Sequence, residues 1–283
     1  MGWFGFEKFY TRPGAGVYRN APQKKSTPRR FFEIFGRKFT RLVQANLLYI
    51  LLSLPVLTGG LADAGLTFIT RSAARGKFAY PAHDFFRTVR RTWKQALPAG
   101  LITLLVNAVL GFNVYFYTCQ IFFPVNGAAP VSTWLLLGVT LLGMLIFSFM
   151  NYYVSLMIIT FDLTLKQIYK NAVLFAFFNF KQNFLIFLSL IGTVAVAVMP
   201  MLFVDIRIWL IVLGLLYILI YPSYRSLLIQ ITVFPFIKKT MIDPYYKDNP
   251  DADRKGMRAL GLEDTDPDAV FSDRPEQEGG DKL

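Results

Sequence analysis

The 283-residue chain has one cysteine, Cys119, and one histidine, His83. A single cysteine forms no internal disulfide, and the pair offers no Cys/His cluster for a metal. Acidic residues are scarce too: residues 1–242 hold six, against 24 Lys and Arg. That leaves no pair of carboxylates within the apolar runs for a proton relay or metal-assisted hydrolysis. A nucleophilic Ser or Cys would have only His83 as its base. Gly14-Ala15-Gly16 lacks the spacing and context of a phosphate-binding loop. These absences argue against an enzyme and against a cofactor or metal. The start, MGWFGFEKFYTRPGAG, has no basic stretch leading into an apolar one, so no cleaved signal peptide is expected.

Charge is thin and apolar sequence is abundant. Hydrophobic residues make up 54% and charged residues 17%, against roughly 45–50% and roughly 25% in ordinary soluble domains. The apolar runs are continuous rather than alternating, which suits spanning helices. The expected fold is all-α, a polytopic transmembrane helical bundle. Residues 96–118, 133–160, 184–204 and 208–228 are clear spans by the rule of about 20 apolar residues. Residues 42–70 are interrupted by Pro55, Gly59 and Gly60. They read as a short broken hairpin, about 42–57 and 61–75, meeting at Thr58-Gly59-Gly60. At 1.5 Å per residue, 16 residues reach only about 24 Å, so a re-entrant hairpin is the alternative to two crossings.

The net charge of +12 suggests nucleic acid until it is mapped along the chain. Residues 1–242 carry +18 and residues 243–283 carry −6. The positive charge flanks apolar segments, where it orients them and meets anionic headgroups; no nucleic-acid partner is expected. With six membrane segments, 29 of the 30 basic residues fall on one side. That places both termini in the cytoplasm of a multi-pass protein. The expected organisation is a basic-aromatic cytoplasmic segment 1–41, a transmembrane domain 42–236 and an acidic, largely disordered tail 237–283.

Two cytoplasmic stretches are amphipathic. In 84–97, Asp84 suits an N-cap and Phe86, Val89, Trp93 and Leu97 share one face. Arg87, Arg90, Arg91 and Lys94 fall on the adjacent face, as in a helix lying in the headgroup plane or docking a partner. Residues 162–183 are similar, with Asp162 at the start and Lys166, Lys170 and Lys181 on an apolar run. A shift of 87 residues overlays Trp93-Lys94-Gln95 on Phe180-Lys181-Gln182, a hint of an internal repeat. Asp63 is a carboxylate inside a membrane segment. It reads either as a helix cap at the hairpin or as an ion, substrate or partner site. Asn46, Asn107, Asn113 and Asn151 suit interhelical hydrogen bonds.

The run from Gln44 to Leu97 resembles the YesL family, bacterial integral membrane proteins defined as a domain of unknown function. The matching positions are Asn46, Leu47, Leu48, Leu54, Pro55, Val56, Thr58, Gly60, Arg71, Asp84, Phe85, Lys94, Gln95 and Ala96. Where the family often has Gly-Pro after the Thr, this chain has Gly59-Gly60-Leu61. The resemblance extends over about residues 4–240. It implies a bacterial plasma-membrane protein without assigned activity, accessory or regulatory to carbohydrate ABC import. Its partners would be importer permease subunits or a sensor kinase. The alternatives are a small secondary transporter or channel using the hairpin around Asp63, and a membrane scaffold or assembly factor.

Overall fold

The computed structural model describes residues 27–123 and 129–248. The expectations for residues 1–26 and for the tail beyond 248 lie outside the described residues. Helices follow one another as α1 (Thr27–Arg37), α2 (Phe39–Ser53), α3 (Gly59–Ala74), α4 (Pro81–Phe122) and α5 (Val131–Thr160). Then come α6 (Leu165–Phe178), α7 (Phe180–Val198, extended by a 3-10 turn Met199–Leu202), α8 (Ile206–Leu219) and α9 (Tyr221–Ile237). A π turn, Lys238–Ile242, leads into α10 (Asp243–Asp248). There is no strand among the described residues.

Three helices are long and apolar enough to cross a bilayer: α4, α5, and α7 with its 3-10 turn. A fourth crossing is available if α8 and α9, bent by 48°, count as one broken span. The all-helical membrane architecture therefore stands, and these helices account for four of the six expected segments. Helices α2 and α3 have 15 and 16 residues, about 22–24 Å of helix. Their register is decisive. A Cβ on Gly100 of α4 would lie 2.6 Å from Gly60 Cα, so the two backbones are in direct contact. From Gly100 to Phe122, α4 runs on for 22 residues, about 33 Å and a full hydrocarbon core. The hairpin tip thus lies at the level of Gly100, which fits the re-entrant alternative.

The amphipathic stretch 84–97 is likewise corrected. It is not a separate helix in the headgroup plane but the first half of the 42-residue α4, continuous through Pro98. The helix begins at Pro81, where a proline costs no hydrogen bond because the first N–H groups have no helical partner. Asp84 is accordingly not the N-cap. Its Oδ2 reaches back to accept from the Tyr80 N–H at 2.8 Å. At α6 the start is Thr164, whose N–H is accepted by Gln167 Oε1 at 2.9 Å, rather than Asp162. The suggested repeat is built unevenly: α4 is continuous where its counterpart splits at Asn179 into α6 and α7. Helical structure runs on past residue 236 to Asp248.

Most of the core lies toward one end. The second half of α5 (Phe149 to Ile159), the inner face of α6 (Ile168, Ala172, Phe175) and α9 (Val233, Ile237) form its main cluster. A second cluster seats Phe31 and Ile34 of α1 against Leu227 and Ile231 of α9. At the other end, α4 and α5 leave large apolar side chains exposed, among them Leu105, Phe112, Leu135 and Val139. Lipid is as apolar as those side chains, so that surface needs no protein cover.

The bend between α8 and α9 frees backbone groups that the helices cannot pair. Pro222 has no N–H and disfavours the helical region at Tyr221. Asn46 of α2 meets both loose ends. Its Nδ2 donates to the Leu219 carbonyl and its Oδ1 accepts from the Ser223 N–H, both at 2.7 Å. Ser223 Oγ donates in turn to the Leu42 carbonyl at 2.9 Å. Asn46→Leu keeps the branched shape, though it is larger, and removes both bonds, stranding the Leu219 carbonyl and the Ser223 N–H. It is expected to cost about 2–4 kcal/mol and to lower the thermal midpoint in detergent. Gly192→Ala, in open space within α7, should leave the midpoint unchanged or raised.

Candidate functional site

The hairpin places Asp63 one turn into α3, and the bend places Arg225 one turn into α9. Although 162 residues apart, they meet: Arg225 Nη2 donates to Asp63 Oδ1 at 3.1 Å. Their side chains keep 39% and 34% of their accessible surface. The surface they keep faces a cavity of about 820 Å³ enclosed by α2, α3, α4, α5, α7 and α9. Tyr49, Asn107, Asn151, Tyr221 and Gln230, with several Ser and Thr hydroxyls, add polar groups to the wall. Thr103 Oγ1 donates to Asn151 Oδ1 at 3.1 Å across the α4–α5 contact. Gln230 is 2% exposed, and its Oε1 has no hydrogen-bond partner.

The fixed charges in this wall sum to zero. The arrangement therefore offers hydrogen-bond donors and acceptors without a net field for an ion. Among the described residues, no three His, Cys, Asp or Glu side chains converge to hold a metal.

Of the hairpin residues singled out by sequence, Gly59, Gly60 and Asp63 line the cavity, whereas Pro55 and Thr58 build the turn. Thr58 Oγ1 donates to the Leu52 carbonyl, closing that turn. Val56 there has φ 57°, a conformation a β-branched residue rarely adopts. Asp63 is not the cap of α3, whose N-cap position is Thr58; its partner is a side chain of another element. Sequence reasoning missed Arg225 by counting it among the cytoplasmic flanking charges. The available signal was an arginine inside Tyr221–Gln230, next to the helix-breaking Pro222.

The residues expected on the cytoplasmic side divide between bundle and surface. Phe85 is buried, its ring against Gly65 of α3. Arg91 Nη2 donates to the Ile159 carbonyl at 3.0 Å and Gln95 Nε2 to the Leu163 carbonyl at 2.9 Å, fixing α4 to the end of α5. Phe86, Arg87, Arg90, Trp93 and Lys94 remain exposed on the outer face of α4. Lys94 Nζ lies 5.9 Å from the Trp93 ring centroid. Asp162, Lys166, Lys170 and Lys181 are also exposed, and among the described residues they join neither the cavity lining nor an ion pair.

Fold and site together define a helical integral membrane protein with a polar cavity at the depth of a membrane-associated hairpin. Residues 42–114 match the family model described as Protein of unknown function, DUF624. That stretch comprises the hairpin and the part of α4 that carries its contact at Gly100. It contributes Asp63 to the site, whereas Arg225 and Gln230 lie outside it. No curated protein and no solved structure matches the chain.

If the pair holds the hairpin against α9, losing one charge should cost more than exchanging both. Asp63→Asn should lower stability by about 1–2 kcal/mol, since the pair is partly open and one cation is left without its counter-charge. Asp63→Arg combined with Arg225→Asp should recover at least half of that loss. Equal melting temperatures for the single variants and the original chain would show that the contact carries no coupling.

Proposed function

We propose that this is a non-enzymatic, YesL-like protein of the bacterial plasma membrane, accessory or regulatory to carbohydrate ABC import. In this reading both termini are cytoplasmic. Four crossings (α4, α5, α7, and α8 with α9) and a hairpin inserted from the cytoplasmic side preserve the charge asymmetry of the sequence. The observation that carries the reading is the outer face of α4. Arg91 and Gln95 anchor the helix to α5, so Phe86, Arg90, Trp93 and Lys94 project from a fixed support. Trp93 keeps 51% of its surface, and aromatic and arginine side chains are the residue types that anchor protein contacts. A scaffold or assembly factor would use the same face and differ only in its partner.

One chain, Cys119→Ser with Arg90→Cys, tests orientation and partner together in intact cells. Its thiol should resist an impermeant maleimide added outside and should crosslink to an importer permease subunit or its sensor kinase. Labelling from outside would overturn the orientation. Crosslinks to neither partner, in cells growing on the imported carbohydrate, would overturn the accessory role.

The cavity favours a second reading, a small transporter or channel. A polar chamber with an ion pair at its rim is what such a protein needs. In reconstituted vesicles, Asp63→Asn should then abolish solute flux; undiminished flux would remove Asp63 from a transport mechanism.

A further inference from the structure

The cavity is open on one side. Its walls there are α4 and α7, which scarcely touch each other. Leu104 on α4 and Ile191, Val194 and Val198 on α7 line the cavity, and each keeps more than a third of its surface exposed. The gap lies beyond the hairpin tip, on the stretch of α4 that continues past Gly100 as a membrane span. An entrance framed by aliphatic side chains at that depth faces lipid rather than water.

Inside, the chemistry is selective. Asp63 and Arg225 cancel each other's charge, so an anionic headgroup drawn by Arg225 would meet the carboxylate 3.1 Å away. A neutral group bearing several hydroxyls suits the site better. It can donate to the second oxygen of Asp63 and accept from the remaining guanidinium N–H groups. Gln230 points the same way. It lines the cavity and its amide oxygen is buried without a donor, a costly condition that a turn of the side chain toward a ligand hydroxyl would relieve. Tyr49 and Tyr221 bring aromatic rings and further hydroxyls to the same wall.

We infer that the cavity binds a neutral polyhydroxylated headgroup, that of a glycosylated lipid entering between α4 and α7, with Gln230, Asp63 and Arg225 as its polar contacts. The inference requires no particular importer partner and no movement of the ligand across the membrane.

The full chain in detergent, examined by native mass spectrometry, provides the test. Three probes are compared: monoglucosyl diacylglycerol, phosphatidylglycerol and free maltose. The glucolipid should bind at least tenfold more tightly than phosphatidylglycerol. Gln230→Leu should weaken the glucolipid by about tenfold, the scale of one buried hydrogen bond. Ile191→Trp changes an exposed position at the cavity entrance and is a second variant that leaves the buried core alone. It should block the glucolipid by closing the entrance. Maltose binding that depends on Gln230, without glucolipid binding, would retain the hydroxyl chemistry and overturn the lipid source. Preference for phosphatidylglycerol, binding of no probe, or glucolipid binding unchanged in both variants would overturn the site.

Discussion

The bend between α8 and α9 is tolerable because Asn46 satisfies it. A break in a membrane-embedded helix exposes a carbonyl and an amide that hydrocarbon cannot solvate. Here one side-chain amide, buried on α2, supplies a donor to Leu219 and an acceptor to Ser223. Much follows from that contact. It docks the hairpin against the broken span and lets α9 depart at 48° from α8. It also sets the register in which Arg225, two residues beyond Ser223, meets Asp63. A straight helix from 206 to 237 would have no free ends for Asn46 and no fixed angle for Arg225.

The second constraint is close approach. Gly60 and Gly100 let the hairpin tip and α4 touch backbone to backbone, the kind of contact that small residues allow between membrane helices. The two constraints act on opposite flanks of the hairpin: Asn46 holds α2 to α8 and α9, and Gly60 holds α3 to α4. The cavity occupies the space left over, since α4 and α7 are both fixed to the bundle elsewhere and have no reason to meet. A polar chamber thus arises from two docking contacts rather than from a dedicated pocket-forming loop.

What was legible in the sequence was whatever composition and local pattern control. Continuous apolar runs revealed spanning helices, and Pro55, Gly59 and Gly60 marked a turn near its actual place. Depth was not legible. Two short apolar runs look alike whether they cross the bilayer or end at Gly100, and only a contact between distant residues separates the cases. Helix continuity was hidden for a related reason. Residues 84–97 have an interfacial pattern, and Pro98 looks like a stop. A proline removes one hydrogen bond, however, and α4 runs through it with Thr92, Ala96 and Ala99 buried on the packed side. Arg225 was hidden because positive charge near an apolar run has two meanings, orientation signal or intramembrane partner, and a count cannot tell them apart.

The basic residues themselves carry both meanings. Several of those assigned to the cytoplasmic side also close helix ends. Arg30 donates to the Ala74 carbonyl at the end of α3, and Arg91 to Ile159 at the end of α5. Lys38 donates to the Lys77 carbonyl just beyond α3. Its burial, and then the charges of Arg41 and Arg37, hold that ammonium below the usual lysine range. C-terminal carbonyls are the negative ends of their helices, so cations belong there on electrostatic grounds. The same charges that disfavour a crossing by these segments therefore tie neighbouring helix ends together. Arg225 is the exception that identifies the site: it lies within the apolar part of the chain, its counter-charge is a side chain rather than a helix end, and both open onto a cavity.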